Sequence, residues 1–140
     1  MQNPLALALA GLLIAIGALH LGWAFGLHWP APRGGEVNAY VSGGRVLPGR
    51  LPTIAVAAAI FTGAAVILAF GAPLPGPWRP LVALAYAGLT AVFLLRGLAG
   101  YVPAIWRYAQ GTPFHRLNQL YYSPLCLAIG AGLVLNAMRR

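Results

Sequence analysis

The chain has no lysine, no aspartate, one glutamate (Glu36) and one cysteine (Cys126) in 140 residues. A single acid excludes every mechanism built on two carboxylates, including glycosidase pairs, aspartyl dyads and carboxylate-held magnesium sites. Proton coupling through an acid buried in a membrane is excluded with them, because Glu36 lies in a glycine- and proline-rich loop. A lone cysteine forms neither an intrachain disulfide nor a Cys-x-x-Cys redox pair, which removes the four-helix thiol oxidoreductases. Only 7% of residues are charged, and all nine basic residues are arginines. A net charge of +8 in so apolar a chain points to anionic lipid headgroups and the positive-inside bias, not to nucleic acid.

What the sequence has in quantity is hydrocarbon. Hydrophobic residues make up 60% of it, in runs that reach the roughly 20 residues a helix needs to cross a bilayer. The fold class expected is an all-α integral membrane protein, a bundle of four transmembrane helices forming one domain over residues 1–140. The helices are placed at 4–27, 52–70, 80–101 and 113–138. The first lacks a basic n-region and is too long for an ordinary signal sequence, so it reads as a retained span. The turn "GAPLPGPWRP" ends the second helix. Thr112-Pro113 and Ser123-Pro124 each offer a start for the fourth. From Pro124 only 17 residues remain, about 25 Å of helix and marginal for a span. The earlier start is therefore expected, with a kink at Pro124.

The long connection after the first helix holds "EVNAYV" and "RVLP" around Ser42-Gly43-Gly44, which reads as a short surface β-hairpin and a candidate lid. With four spans, the loops after helices one and three share a membrane side and carry Arg33, Arg45, Arg50, Arg107 and Arg116. The other side has Arg79, Arg139 and Arg140. That balance sets loops 28–51 and 102–112 in the cytoplasm.

Polar residues gather at the loop-bearing end. His20 and Trp23 lie one turn apart on the first helix, on a face shared with Leu9, Leu13, Ile16 and Leu27, and a histidine at that depth should point into the bundle. A second face of small residues, Gly11, Ala15, Ala18, Gly22 and Gly26, reads as a packing stripe against a neighbouring helix or a second protomer in a homo-oligomer. Arg96 sits near the end of the third helix. On the fourth, His115, Asn118, Gln119, Tyr122 and Cys126 recur at i, i+3, i+4, i+7 and i+11. Connectivity brings His20, Trp23, Arg96, His115, Asn118 and Tyr122 to one end, where they form the candidate ligand-binding set. His20, His115 and Tyr122 are the candidates for proton transfer, and no metal site is expected. Each also has a structural reading: a backbone hydrogen bond for His20, snorkelling for Arg96, an aromatic belt for Trp23, Trp29, Trp78 and Trp106, and a belt or cap role for Tyr121, Tyr122 and Ser123.

The segments "LHLGWAFGLHW", with His-x-x-Trp-Ala-x-Gly, and "YSPLC" at Tyr122–Cys126 are similar to a family of small bacterial four-helix membrane proteins known only as a domain of unknown function. The resemblance spans the chain. It implies the fold and a bacterial cytoplasmic-membrane setting, and brings no activity or catalytic residues.

Three functional readings follow. The first is a protein that binds or processes an amphipathic small molecule or lipid with an anionic head, met by Arg96. The second is a small oligomeric transporter or anion channel. The third is a b-type haem protein with His20 and His115 or His28 as axial ligands; no cofactor is otherwise expected.

Overall fold

The computed structural model describes residues 3–44 and 49–139. Its helices are α1 (Pro4–Ala24), α2 (Asn38–Val41), α3 (Arg50–Phe70), α4 (Trp78–Ala99), α5 (Pro113–Leu117) and α6 (Ser123–Met138). A 3-10 turn occupies Arg107–Ala109, and a π-helical segment, Asn118–Tyr122, joins α5 to α6. Four helical runs are long and apolar enough to cross a membrane: α1, α3, α4 and the continuous stretch Pro113–Met138. Among the described residues there is no strand.

Hydrocarbon on both sides of each helix explains the architecture. Only 11% of the α4 span is buried within the protein, so side chains such as Leu84, Val92 and Leu95 point outward. In water that surface would not stay monomeric; in a bilayer it is the ordinary lipid contact. The inward face of α1 is Ala6, Leu9, Ala10, Leu13 and Gly17, at helical spacing. It meets Ala64 and Ile67 of α3, Tyr86 of α4, and Ile129 and Leu133 of α6 in a core at the end that carries the termini. α1 packs chiefly on α3, and α4 chiefly on α6.

Close approach relies on glycines. Leu127 fills the niche left by Gly97, Leu94 that of Gly130, and Phe61 that of Gly17. With lipid outside as apolar as leucine inside, such interlocking van der Waals contact is what holds membrane helices together. Two asparagines fasten the same end. Asn136, fully buried, donates to the Tyr86 hydroxyl at 2.9 Å and accepts from Asn3 at 3.2 Å. Asn3 also caps α1 through the Leu5 amide.

Several boundaries differ from the sequence expectation. α1 stops at Ala24, not 27, because Gly26 adopts φ +95° and closes a Schellman turn: Leu27 N–H donates to the Gly22 carbonyl at 2.8 Å and Gly26 N–H to Trp23 at 3.2 Å. The Gly22–Gly26 spacing thus belongs to a helix terminus, and Leu27 leaves the His20 face to fold back over Gly22. Arg50 extends α3 by two residues at its start and donates to the Ala24 carbonyl at 3.2 Å, placing a cation on the negative end of α1. Gly26→Ala should cost about 1–2 kcal/mol, the penalty of a side chain in the left-handed region. A drop in thermal midpoint of the detergent-solubilised protein, absent in Gly11→Ala, measures it.

The hairpin expected in the long loop is replaced over its first arm by the helical turn Asn38–Val41; the second arm, 45–48, lies outside the described residues. Asn38 decides this locally. Its carbonyl accepts from the amides of Ser42 and Gly43, and its side chain donates to the Gly44 carbonyl at 2.9 Å. Those bonds curl the segment out of extended strand geometry. The small stripe is also not buried in the bundle: Gly11, Ala15 and Ala18 are exposed, and the inward small residue on that helix is Gly17.

At Pro124 the fourth span does not simply bend. Proline has no N–H and its ring crowds the carbonyl four residues back, so the preceding turn widens into the π segment Asn118–Tyr122.

Candidate functional site

The loop-bearing end is closed by two connections packed on each other. Gly43, at φ +69°, lies so near Ala109 and Phe114 that a Cβ there would come within 2.6 Å of Ala109. Tyr108 donates to the Ser42 carbonyl at 3.3 Å, and Tyr122 to the Tyr40 carbonyl at 3.0 Å. Loops 25–44 and 100–112 therefore share one side of the bundle, as connectivity requires, and α2 is strapped down by aromatic hydroxyls.

Beneath α2 lies a cavity of about 170 Å³ lined by His20, Trp23, Val41, Ser42, Pro52, Thr53 and Val56. The His20 ring meets Trp23 edge-on, with centroids 4.8 Å apart. Its Nδ1 is 2.8 Å from the Ile16 carbonyl. A carbonyl only accepts, so Nδ1 carries a proton and Nε2 is the nitrogen left to face the cavity's other groups. Trp23 is held by its own bond, indole N–H to the Trp29 carbonyl at 2.6 Å. The space falls below the 300 Å³ or so typical of drug-sized sites.

A second centre is built around Arg96. Its Nη2 donates to Asn118 Oδ1 at 2.7 Å and its Nη1 approaches Ser123 Oγ at 3.5 Å, while the guanidinium carbon stands 4.8 Å over the Trp106 ring. Asn118 and Ser123 are fully buried. Ser123 donates to Asn118 Oδ1 at 3.3 Å, and Asn118 donates to the Gly100 carbonyl at 3.3 Å. Trp106 is fixed by its N–H on the Ala99 carbonyl at 2.7 Å. Every one of these Arg96 partners is neutral. The chain's one acidic side chain, Glu36, is exposed and forms no salt bridge among the described residues.

The six expected site residues thus fall into separate surroundings. His20 and Trp23 share the cavity under α2. Arg96 and Asn118 share the polar network. Tyr122 stands between, tied to the loop that roofs the cavity and packed on Phe114, with centroids 5.9 Å apart. His115 joins neither group; its Nδ1 is buried and lacks a partner among the described residues. Among the described residues no three of His, Cys, Asp and Glu gather as metal ligands.

Sequence reasoning assigned Trp106 to the aromatic belt and Ser123 to a helix cap; both belong to the Arg96 centre. The π segment explains the second. In an α-helix residues five apart point about 140° away from each other, whereas a π turn aligns i with i+5, which brings Ser123 over Asn118. For Trp106 the only signal is its nearness to Arg96 across a short loop.

The sequence profile of a family described as "Protein of unknown function (DUF3995)" matches residues 13–133. The chain belongs to this family. Neither a curated protein nor a solved structure matches it. The match takes in α3 and α4 whole, the greater part of α1 and of Pro113–Met138, and both polar centres, and it assigns DUF3995 proteins no activity.

Proposed function

We propose that this DUF3995 protein binds an amphipathic molecule with an anionic head, a lipid or lipid-like compound, at the loop-bearing end of its bundle, with Arg96 meeting the head. One observation carries the reading: a half-buried guanidinium in a membrane-spanning helix whose partners are an amide, a hydroxyl and an indole face, none of them charged. Guanidinium has five N–H donors, and two are engaged among the described residues. A charge at that depth without a counter-charge is costly, and an anionic head relieves the cost through charge-assisted hydrogen bonds. The apolar outer faces of α4 and α6 suit the tail. Binding is favoured over chemistry, because His20, the imidazole that lines a cavity, stands apart from Arg96. The bacterial cytoplasmic membrane, with the loop-bearing end in the cytoplasm, is the setting this reading adopts from the arginine balance. The exposed Gly11, Ala15 and Ala18 leave that face of α1 open to a second copy.

Native mass spectrometry of the detergent-extracted full chain tests the proposal. The wild type should retain an anionic, lipid-sized mass, and Arg96→Gln should reduce its occupancy at least tenfold while Arg96→Lys keeps part of it. Equal occupancy in Arg96→Gln overturns the reading. A ligand-free protein that dissipates an anion gradient in liposomes supports the transporter alternative instead.

A further inference from the structure

At the opposite end of the bundle, where α3 turns into α4, a groove of about 650 Å³ is lined by Phe70, Ala72, Pro73, Leu74, Arg79, Pro80, Val82 and Ala83. Its volume falls in the range of small-molecule sites. Its walls are hydrocarbon apart from Arg79. We infer that this groove is a second binding site, independent of Arg96, which holds one acyl chain of an anionic phospholipid with the headgroup on Arg79.

The groove's depth identifies its occupant. α3 ends at Phe70 and α4 begins at Trp78, so the groove lies at a span boundary, where headgroups give way to acyl chains. Exposed Trp78 beside it is the kind of side chain that settles at this level. An apolar groove that opens there is bathed in lipid, and an empty one would forfeit dispersion contacts on both walls. Charge selects among lipids. Arg79 is exposed, no described residue bonds its guanidinium, and no acid stands anywhere in α3, α4 or the turn between them. A zwitterionic head brings its own cation to that arginine; an anionic head does not.

Prolines make the groove durable. Pro73, Pro75, Pro77 and Pro80 fix φ along the turn, and the stacking of Phe70 on Tyr86, with centroids 4.0 Å apart, holds the end of α3 against α4. The shape is therefore set by backbone and core contacts and does not wait for a ligand.

The test uses the full chain in phosphatidylcholine vesicles containing a trace of phosphatidylglycerol with a photoreactive acyl chain, compared with phosphatidylcholine carrying the same chain. Cross-linked peptides are mapped by mass spectrometry, and labelling of 68–84 is read relative to the rest of the protein. The phosphatidylglycerol probe should label 68–84 about fivefold more than the phosphatidylcholine probe, the weight of one basic side chain at an anionic surface. Arg79→Gln should abolish that preference and Arg79→Lys preserve it. Ala83→Phe, which fills the groove and leaves the charge, should reduce labelling by both probes. Arg96→Gln should leave 68–84 unchanged, so this site and the Arg96 site fail separately. Equal labelling by the two probes, or a preference that survives Arg79→Gln, overturns the charge selection; unchanged labelling in Ala83→Phe overturns the groove as the seat of the chain.

Discussion

Gly100→Ala should be among the most damaging single-methyl changes available in this protein, costing on the order of 3 kcal/mol. A Cβ at Gly100 would overlap the Ser123 hydroxyl outright and come within 2.6 Å of Ser123 Cβ. Neither side yields cheaply. Ser123 is fully buried and already bonded to Asn118, and the Gly100 carbonyl is itself the acceptor for Asn118. The added methyl must therefore push the end of α4 away from the π segment, which also pulls Arg96 off its partners. Gly88, on the same helix, provides the control: a Cβ there meets nothing within 4 Å, so Gly88→Ala should be neutral or stabilise by about 0.5–1 kcal/mol through helix propensity. Unfolding by mixed-micelle SDS titration should show a lowered midpoint for Gly100→Ala and an unchanged or raised one for Gly88→Ala. A Gly100→Ala protein as stable as wild type would mean that α4 and α6 meet less closely than described.

Asn118→Leu should cost about 2–4 kcal/mol, for a different reason. Leucine keeps asparagine's branching and heavy-atom count, and the substitution removes the 2.7 Å acceptor of Arg96 and the donor to the Gly100 carbonyl together. A neutral interhelical hydrogen bond in a membrane averages only about 0.6 kcal/mol. The larger figure comes from the charge: breaking a partly buried ionic hydrogen bond strands a guanidinium at membrane depth. Asn118→Asp separates the two contributions. It supplies the missing negative partner, should hold Arg96 at least as firmly, and should abolish binding of an anionic head by neutralising the site. The same SDS titration reads stability, and retained ligand mass reads binding. A loss for Asn118→Leu no greater than that for Ser123→Ala would indicate that Arg96 takes its partners from outside the protein.

The spans were legible in the sequence because a bilayer asks one simple question of a helix, whether about twenty consecutive side chains can live in hydrocarbon. Pro4–Ala24 and Arg50–Phe70 answer it through composition alone. Helix ends were less legible, since they depend on backbone geometry. "GWAFG" offers a packing stripe and a Schellman terminus in the same letters, and Gly26 at φ +95° chooses the terminus. The polar residues were found as a population, but their grouping was not. Wheel geometry assumes 100° per residue, and Pro124 forces a π turn that rotates everything before it relative to α6. Ser123 thereby enters the Arg96 centre, and His115 and Gln119 are left outside it. Trp106 was hidden for another reason: tryptophans near span ends are usually belt residues, and only the fold of the 100–112 connection sets this one over a guanidinium. The long loop misled because Val37, Ala39 and Val41 alternate as a strand would, while the side chain of Asn38 bonds its own backbone neighbourhood and rolls the segment into a turn of helix.

The proposed function requires that an anion from outside the protein complete Arg96. An experimental structure of the protein in nanodiscs containing phosphatidylglycerol, at a resolution that shows headgroups, tests it most directly. An anionic oxygen is expected about 2.7–2.9 Å from a guanidinium nitrogen of Arg96, with Asn118, Ser123 and Trp106 in place around it. An Arg96 whose remaining donors meet only water or backbone carbonyls, with no headgroup within hydrogen-bond distance, would contradict it.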